Sequence, residues 1–167
     1  MSRLTPRVLW LVLGVGCLAL VGGSLILTAW MDLRPCGLCI FQRLLFIVLG
    51  LLALAAAGLG PRRGVLVPGL LALACAAAGV GIAVYQLWVQ VQPAESVSCV
   101  GGDLTFIDLL VDWLGQRLPT LFLATGFCED TGPLILGLSL AGWALVGFSG
   151  CLVVGVWALA SRGRAHA

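Results

Sequence analysis

The stretch from Val8 to Trp30 reads VLWLVLGVGCLALVGGSLILTAW and contains no charged residue. A bilayer core about 30 Å thick requires about 20 apolar residues of α-helix, so this stretch is long enough to cross a membrane. Three further apolar windows of this length lie at about 40–59, 65–91 and 134–160, and the first of these is interrupted only by Gln42 and Arg43 near its start. We therefore predict an all-α integral membrane protein, a four-transmembrane-helix bundle that forms a single membrane domain over residues 1–167.

The first window could instead be a signal peptide, because Arg3 and Arg7 precede it. The apolar core of a signal peptide is about 7 to 15 residues long and ends at a cleavage site of small residues. The window is longer than that, and Thr28-Ala29-Trp30 is a poor cleavage site. We expect the first helix to be retained.

The composition excludes two classes of protein. Hydrophobic residues make up 61% of the chain and charged residues 10%, whereas an ordinary soluble domain carries about 25% charge. Most of the surface is therefore expected to face a lipid bilayer. The formal net charge of +2 and the lack of a basic stretch with interleaved aromatics argue against a nucleic-acid partner.

The arginines and the acidic residues fall on opposite sides of a four-span arrangement. One side carries +6, from Arg3, Arg7, Arg62, Arg63, Arg162 and Arg164. The other side carries −4, from three arginines and all seven acids: Arg34, Arg43, Arg117, Asp32, Glu95, Asp103, Asp108, Asp112, Glu129 and Asp130. Because arginine collects in cytoplasmic loops, both termini are predicted to be cytoplasmic, with exported loops at about 31–39 and 92–133.

The long exported loop contains a helical pattern from Thr105 to Leu118. One predicted face is polar, with Asp108, Asp112 and Gln116, and the other is apolar, with Phe106, Leu109, Leu110, Trp113 and Leu114. This pattern predicts a short surface helix. Two roles stay open, since it could lie on the membrane surface or pack on the exported ends of the bundle.

The seven cysteines fall into two groups. Three lie inside predicted spans and are expected to serve packing: Cys17, Cys75 and Cys151. Four lie in the two exported loops: Cys36, Cys39, Cys99 and Cys128. The first and third loops of a four-span protein share one side of the membrane, so these two pairs can exchange disulfides there.

The spacing of the four exported cysteines favours redox chemistry without fixing how they pair. Cys36-Gly37-Leu38-Cys39 is a C-x-x-C motif at the start of a helix, where free backbone N–H groups favour thiolate. The alternative for this pair is a structural disulfide that closes a short loop. The alternative for Cys99 and Cys128 is a structural disulfide that closes the long loop. A zinc site of four thiolates is disfavoured in an oxidising compartment. Four cysteines allow three connectivities, and spacing alone does not choose among them.

Arg43 places a charge about one turn inside the second predicted helix. A guanidinium at membrane depth is costly and usually marks function. Its i+4 spacing from Cys39 puts the two side chains on one helix face, where Arg43 can stabilise a thiolate or donate to the carbonyl oxygen of a ligand. The alternative is an arginine that only extends to the exported surface.

Several motifs together resemble one known family. The segment 36–43, CGLCIFQR, opens the second span, ATGFC follows at 124–128, and LGLS at 136–139 precedes Trp143. With four spans and a second exported cysteine pair, the chain resembles the disulfide bond formation protein DsbB family over nearly its whole length. The vitamin K epoxide reductase type is a poorer match, because its membrane C-x-x-C lies near a later helix.

The resemblance implies a quinone-dependent protein dithiol oxidase of the bacterial inner membrane. Such a disulfide oxidoreductase reoxidises a periplasmic DsbA-like thiol oxidase and passes two electrons to a membrane quinone, either ubiquinone or menaquinone. It implies catalytic cysteines paired as Cys36 with Cys39 and Cys99 with Cys128. Cys99 would form the mixed disulfide with the partner, Cys128 would exchange with Cys36, and Cys39 would face the quinone beside Arg43.

One position departs from the family pattern. Some members carry a histidine near the exported end of the third helix, where this chain has Gln86, which can donate a hydrogen bond but cannot carry a proton. The expected quinone contacts are Arg43, Gln42 and Gln86, and no metal is expected. The alternative function is a four-span membrane scaffold with purely structural disulfides, which leaves Arg43 beside Cys39 unexplained. A transporter is disfavoured, because no span carries an acid across the bilayer centre.

Overall fold

Long helices dominate the computed structural model, which describes residues 5–59, 63–92, 105–126 and 136–163. In chain order they are α1 (Pro6–Trp30), α2 (Gly37–Leu59), α3 (Leu66–Gln90), α4 (Thr105–Arg117), α5 (Pro119–Phe122) and α6 (Leu140–Gly163). A one-turn 3-10 helix, Arg63–Val65, precedes α3. Among the described residues, α1, α2, α3 and α6 are long and apolar enough to cross a membrane, with mean hydropathies from 2.0 to 2.4. The predicted all-α fold with four membrane-length helices is confirmed.

The last long helix begins later than the apolar window at 134–160 suggested. Leu136 and Gly137 adopt left-handed backbone angles, with φ of 53° and 82°, so helix cannot run through them. Ser139 then caps α6, because its Oγ accepts the backbone N–H of Gly142 at 3.3 Å. The apolar character of a segment therefore extends beyond the helix that it forms.

The four long helices form a closed ring in which α1 packs on α2, α2 on α3, α3 on α6, and α6 on α1. Phe46 of α2 and Phe148 of α6 stack within this ring, with centroids 3.9 Å apart and planes 11° apart. Gly79 of α3 lies directly against the Phe148 ring, and a Cβ at that position would overlap it. A glycine at this contact allows α3 and α6 to approach closely.

The three cysteines of the membrane-length helices lie at contacts between helices. Cys17 of α1 is buried, and its Sγ lies 3.5 Å from the Sγ of Cys151 on α6. The Cys75 thiol donates to the carbonyl oxygen of Leu45 at 3.4 Å, which joins α3 to α2. These positions agree with the packing role expected from the sequence.

The predicted surface helix exists as α4, and it packs on the end of the bundle where α2 begins. Its buried side chains are Ile107 and Val111, which pack in one cluster with Leu38 and Ile40 of the first turn of α2. Phe106, Leu109 and Trp113 of the predicted apolar face are 75%, 66% and 54% exposed, so the bundle does not cover them, and their contact with the membrane surface stays a prediction. The helix carries apolar side chains on two faces, and the bundle covers the one with fewer large residues.

Candidate functional site

The C-x-x-C motif forms the first turn of α2. The carbonyl oxygen of Cys36 accepts the N–H of Ile40 at 3.1 Å, so Cys36 stands at the helix boundary and Cys39 in the first turn. The thiol of Cys36 is hydrogen-bonded to the Sγ of Cys39, 3.2 Å away. The partial positive charge of the helix N-terminus favours thiolate there.

One buried glutamine side chain contacts the two sulfur atoms, and a second glutamine contacts the first. The Nε2 group of Gln86, on α3, donates to Cys39 Sγ at 3.0 Å and lies 3.5 Å from Cys36 Sγ. The Oε1 atom of Gln86 accepts a hydrogen bond from Gln42 Nε2 at 2.9 Å. Both glutamines are buried, at 1% exposed for Gln86 and 4% for Gln42. The predicted site residues Cys36, Cys39, Gln42 and Gln86 therefore form one hydrogen-bonded group.

Arg43 is buried and joins three parts of the chain. Its Nε donates to Ser24 Oγ at 3.1 Å and its Nη2 to Thr28 Oγ1 at 3.2 Å, both on α1. Its Nη1 donates to the carbonyl oxygen of Leu121 on α5 at 2.8 Å. A guanidinium has five N–H groups, so one on each terminal nitrogen remains to reach a ligand.

The segment after α5 is fastened beside the C-x-x-C motif. The N–H groups of Thr125 and Gly126 both donate to the carbonyl oxygen of Pro35, at 3.0 and 3.1 Å. Gly126 lies against the backbone of Arg34 so closely that a Cβ would overlap the Arg34 carbonyl oxygen. The chain is therefore held next to Cys36 two residues before Cys128. Cys99 and Cys128 themselves lie outside the described residues.

A cavity of about 380 Å³ opens beside these groups, between α1, α2, α3 and α6. Its polar wall contains Cys36, Cys39 and Arg34 together with six polar side chains on α1, α2 and α3: Ser24, Thr28, Gln42, Arg43, Gln86 and Gln90. Its remaining walls are mainly apolar and include Leu20, Phe46, Leu140 and Trp143. A cavity of this size, apolar with a few convergent polar groups, is typical of a small-molecule site.

The donor set fits a quinone. A quinone has an apolar ring and two carbonyl oxygens that only accept hydrogen bonds, and the cavity offers apolar walls with guanidinium and amide donors. The described residues contain no cluster of three or more histidine, cysteine or acidic side chains that could hold a metal ion. Arg43 and Cys39 both line the cavity, as their i+4 spacing on α2 predicted.

The partners that hold Arg43 were not predicted from the sequence. Ser24 and Thr28 are polar residues four apart in the otherwise apolar half of α1 from Val15 to Trp30, which puts both on one face. That spacing was a usable signal, because hydroxyl oxygens inside a span are suitable partners for a buried guanidinium. The carbonyl oxygen of Leu121 had no such signal, since any backbone carbonyl can accept a hydrogen bond.

Comparison with known proteins places the chain in a family. The family model described as disulfide bond formation protein DsbB matches residues 6–158. Disulfide bond formation protein B of Dechloromonas aromatica is 40% identical over 164 residues, which cover 98% of both chains. Disulfide bond formation protein B 1 of Pseudomonas fluorescens Pf-5 is 42% identical over 139 residues, 82% of this chain and 79% of the relative. A Burkholderia thailandensis disulfide bond formation protein B is 41% identical over 162 residues, 95% and 92% of the two chains. The chain therefore belongs to the DsbB family of membrane disulfide bond formation proteins.

Proposed function

We propose that this multi-pass membrane protein oxidises a periplasmic DsbA-like dithiol oxidase and passes the two electrons to a membrane quinone. The protein then lies in the bacterial inner membrane with both cysteine loops in the periplasm. In this reaction the dithiol oxidase is the electron donor and the quinone is the electron acceptor.

One observation carries the proposal: Cys39 and Arg43 line the same largely apolar cavity between the long helices. The redox-active sulfur and a hydrogen-bond donor for a carbonyl oxygen are thereby presented to one ligand. A bound quinone supplies a two-electron acceptor and leaves as quinol with two added protons. Arg43 and Gln42 are the proposed holding residues, Gln86 faces the sulfur atoms, and the apolar walls exclude water from them.

The exchange steps follow from thiol–disulfide chemistry. A partner thiolate attacks the Cys99–Cys128 disulfide to form a mixed disulfide at Cys99, which the second partner thiolate resolves. The Cys128 thiolate then attacks Cys36 in the Cys36–Cys39 disulfide and releases the Cys39 thiolate. Attack by the Cys99 thiolate on Cys128 restores the loop disulfide and leaves Cys36 and Cys39 reduced. The anchoring of Gly126 at Pro35 supports the Cys128 step, because it holds the preceding chain next to Cys36.

An onward electron acceptor is required on energetic grounds. A DsbA-type oxidase is a strong oxidant because its reduced form is stabilised, so withdrawing its electrons requires a still stronger sink. A quinone dissolves in lipid and the partner oxidase does not. A membrane protein with cysteines in exported loops and a cavity between its membrane helices can react with the partner oxidase and bind the quinone.

The test is turnover by the purified full-length protein with a reduced DsbA-type oxidase and a soluble ubiquinone or menaquinone analogue. We expect loss of partner thiols to match quinol formation one disulfide to one quinol, and Cys39→Ala to abolish both. If purified protein forms no quinol with either analogue, the proposal is wrong. The scaffold alternative predicts that Cys36→Ser lowers stability and leaves thiol oxidation in the cell unchanged.

A further inference from the structure

The amide of Gln86 is held between a fixed donor and two sulfur atoms. Gln42 Nε2 donates to its Oε1 at 2.9 Å, which leaves its Nε2 to face Cys39 Sγ at 3.0 Å and Cys36 Sγ at 3.5 Å. The orientation of a glutamine amide is assigned from such contacts, and here the Gln42 donor assigns it. The two side-chain N–H groups of Gln86 can thus donate to the sulfur atoms of Cys36 and Cys39.

The surroundings make these hydrogen bonds strong. Gln86 and Gln42 are 1% and 4% exposed, so water does not compete for the amide groups. A hydrogen bond inside a region of low dielectric constant is electrostatically stronger than one in water. It is stronger again when the acceptor is charged, as a thiolate is.

We propose that Gln86 sets the oxidising power of the Cys36–Cys39 pair by donating hydrogen bonds to the thiolate of its reduced form. The proposal rests on the proposed function only in taking this pair as redox-active. Gln86 acts on the sulfurs in this account, whereas the sequence predicted a contact with the quinone. Gln42 is a positioning residue, because it acts through the amide of Gln86.

The direction of the effect follows from which redox state accepts the hydrogen bond. A thiolate is a strong acceptor and a disulfide sulfur a weak one, so the donor stabilises the reduced pair more than the oxidised pair. Stabilising the reduced form makes the disulfide a stronger oxidant. A stronger oxidant at this position favours transfer of electrons from Cys99 and Cys128 to the Cys36–Cys39 pair.

The test measures the redox equilibrium of the Cys36–Cys39 pair without quinone or partner. The full chain carries Cys99→Ala and Cys128→Ala, is equilibrated in stepped ratios of reduced to oxidised glutathione, and is alkylated. Mass spectrometry of the segment with Cys36 and Cys39 then gives the reduced fraction. We expect Gln86→Met, which fills similar volume without a donor, to make the pair about tenfold harder to reduce, or about 30 mV for a two-electron couple.

A matched control lies one turn away on the same helix. Gln90 also lines the cavity, and its Oε1 accepts from Ser139 Oγ at 3.0 Å. We expect Gln90→Met to leave the redox equilibrium within about twofold of the parent. The same samples should show slower alkylation of Cys39 at fixed pH in Gln86→Met, because less of that thiol is ionised.

Gln42→Met keeps the test decisive if Gln86→Met does not fold. Removing the donor that orients the Gln86 amide should shift the equilibrium in the same direction by a smaller factor. If the redox equilibrium constant of each of these variants that folds stays within about twofold of the parent, the inference is wrong. Quinol formation by the parent is a separate measurement, so failure of this inference and failure of the proposed function are distinguishable.

Discussion

Arg43 donates a hydrogen bond from Nη1 to the carbonyl oxygen of Leu121 at 2.8 Å, which joins α2 to the segment 119–126. The same segment is fastened to Pro35 by the backbone of Thr125 and Gly126. The cavity and the chain leading to Cys128 are therefore held by one set of contacts. A change at Arg43 is expected to affect both.

The substitution Arg43→Met should weaken use of quinone and loosen the α5 segment. A hydrogen bond to or from a charged group is worth about 1.5–3 kcal/mol, so loss of one quinone contact should raise the quinone KM at least about tenfold. Loss of the Leu121 contact should increase cleavage within residues 118–126 during limited proteolysis. Quinone titration of turnover and a proteolysis time course measure the two effects.

Arg117→Met is the control for Arg43. Arg117 belongs to α4, and its guanidinium carbon lies 5.2 Å from the centre of the Trp113 ring, outside the cavity. The Arg117→Met substitution should leave the quinone KM unchanged. An Arg43→Met protein with the parental quinone KM would contradict the role proposed for Arg43.

Gly79→Ala should destabilise the bundle. The added methyl group would overlap the Phe148 ring, which is itself stacked on Phe46. Overpacking of this kind typically costs about 1–3 kcal/mol. Gly81→Ala is the matched control on the same helix, because its Cβ meets no atom within 4 Å. Thermal unfolding in detergent should show a lower midpoint for Gly79→Ala alone, and equal midpoints would contradict the packing described.

Replacing Cys17, Cys75 and Cys151 together by alanine should leave dithiol oxidation near the parental rate. These thiols pack between helices, and none of them lines the cavity. The triple variant should unfold at a somewhat lower temperature, because Cys17 is fully buried and its Sγ leaves a void. Loss of turnover in a folded triple variant would show that the membrane cysteines take part in electron transfer.

The orientation is tested with reporters on the full chain. Arginine placement predicts a cytoplasmic C-terminus, so green fluorescent protein fused after Ala167 should fluoresce and alkaline phosphatase fused there should be inactive. Fusions placed after Arg117 provide the comparison and should give the opposite pattern. The reverse result at either position would overturn the predicted topology.

Much of the fold could be predicted because lipid imposes a simple rule on sequence. An uncharged stretch such as 8–30 has to hydrogen-bond its own backbone, and the helix Pro6–Trp30 does so. The late start of α6 could not be read from apolar character, since it depends on the left-handed angles of Leu136 and Gly137. Hydropathy records burial in lipid and says little about where a helix is capped.

The site was only partly predictable for a related reason. The i+4 spacing of Cys39 and Arg43 predicted their shared helix face, whereas the cavity that both line depends on how four helices pack. The contact of Gln86 with the sulfurs depends on how α3 packs against α2, which no local pattern encodes. The packed face of α4 was missed likewise, because Ile107 and Val111 are smaller than the exposed Phe106 and Trp113.

Direct exchange of electrons between the Cys36–Cys39 pair and quinone can be measured in reduced, purified Cys99→Ala protein without any partner. The protein is alkylated before and after addition of a quinone analogue. We expect Cys36 and Cys39 to lose both alkylatable thiols on addition of quinone, while the variant cannot oxidise a reduced DsbA-type partner. If both thiols remain alkylatable in the presence of excess quinone, the pair does not reduce quinone and the proposed function is wrong.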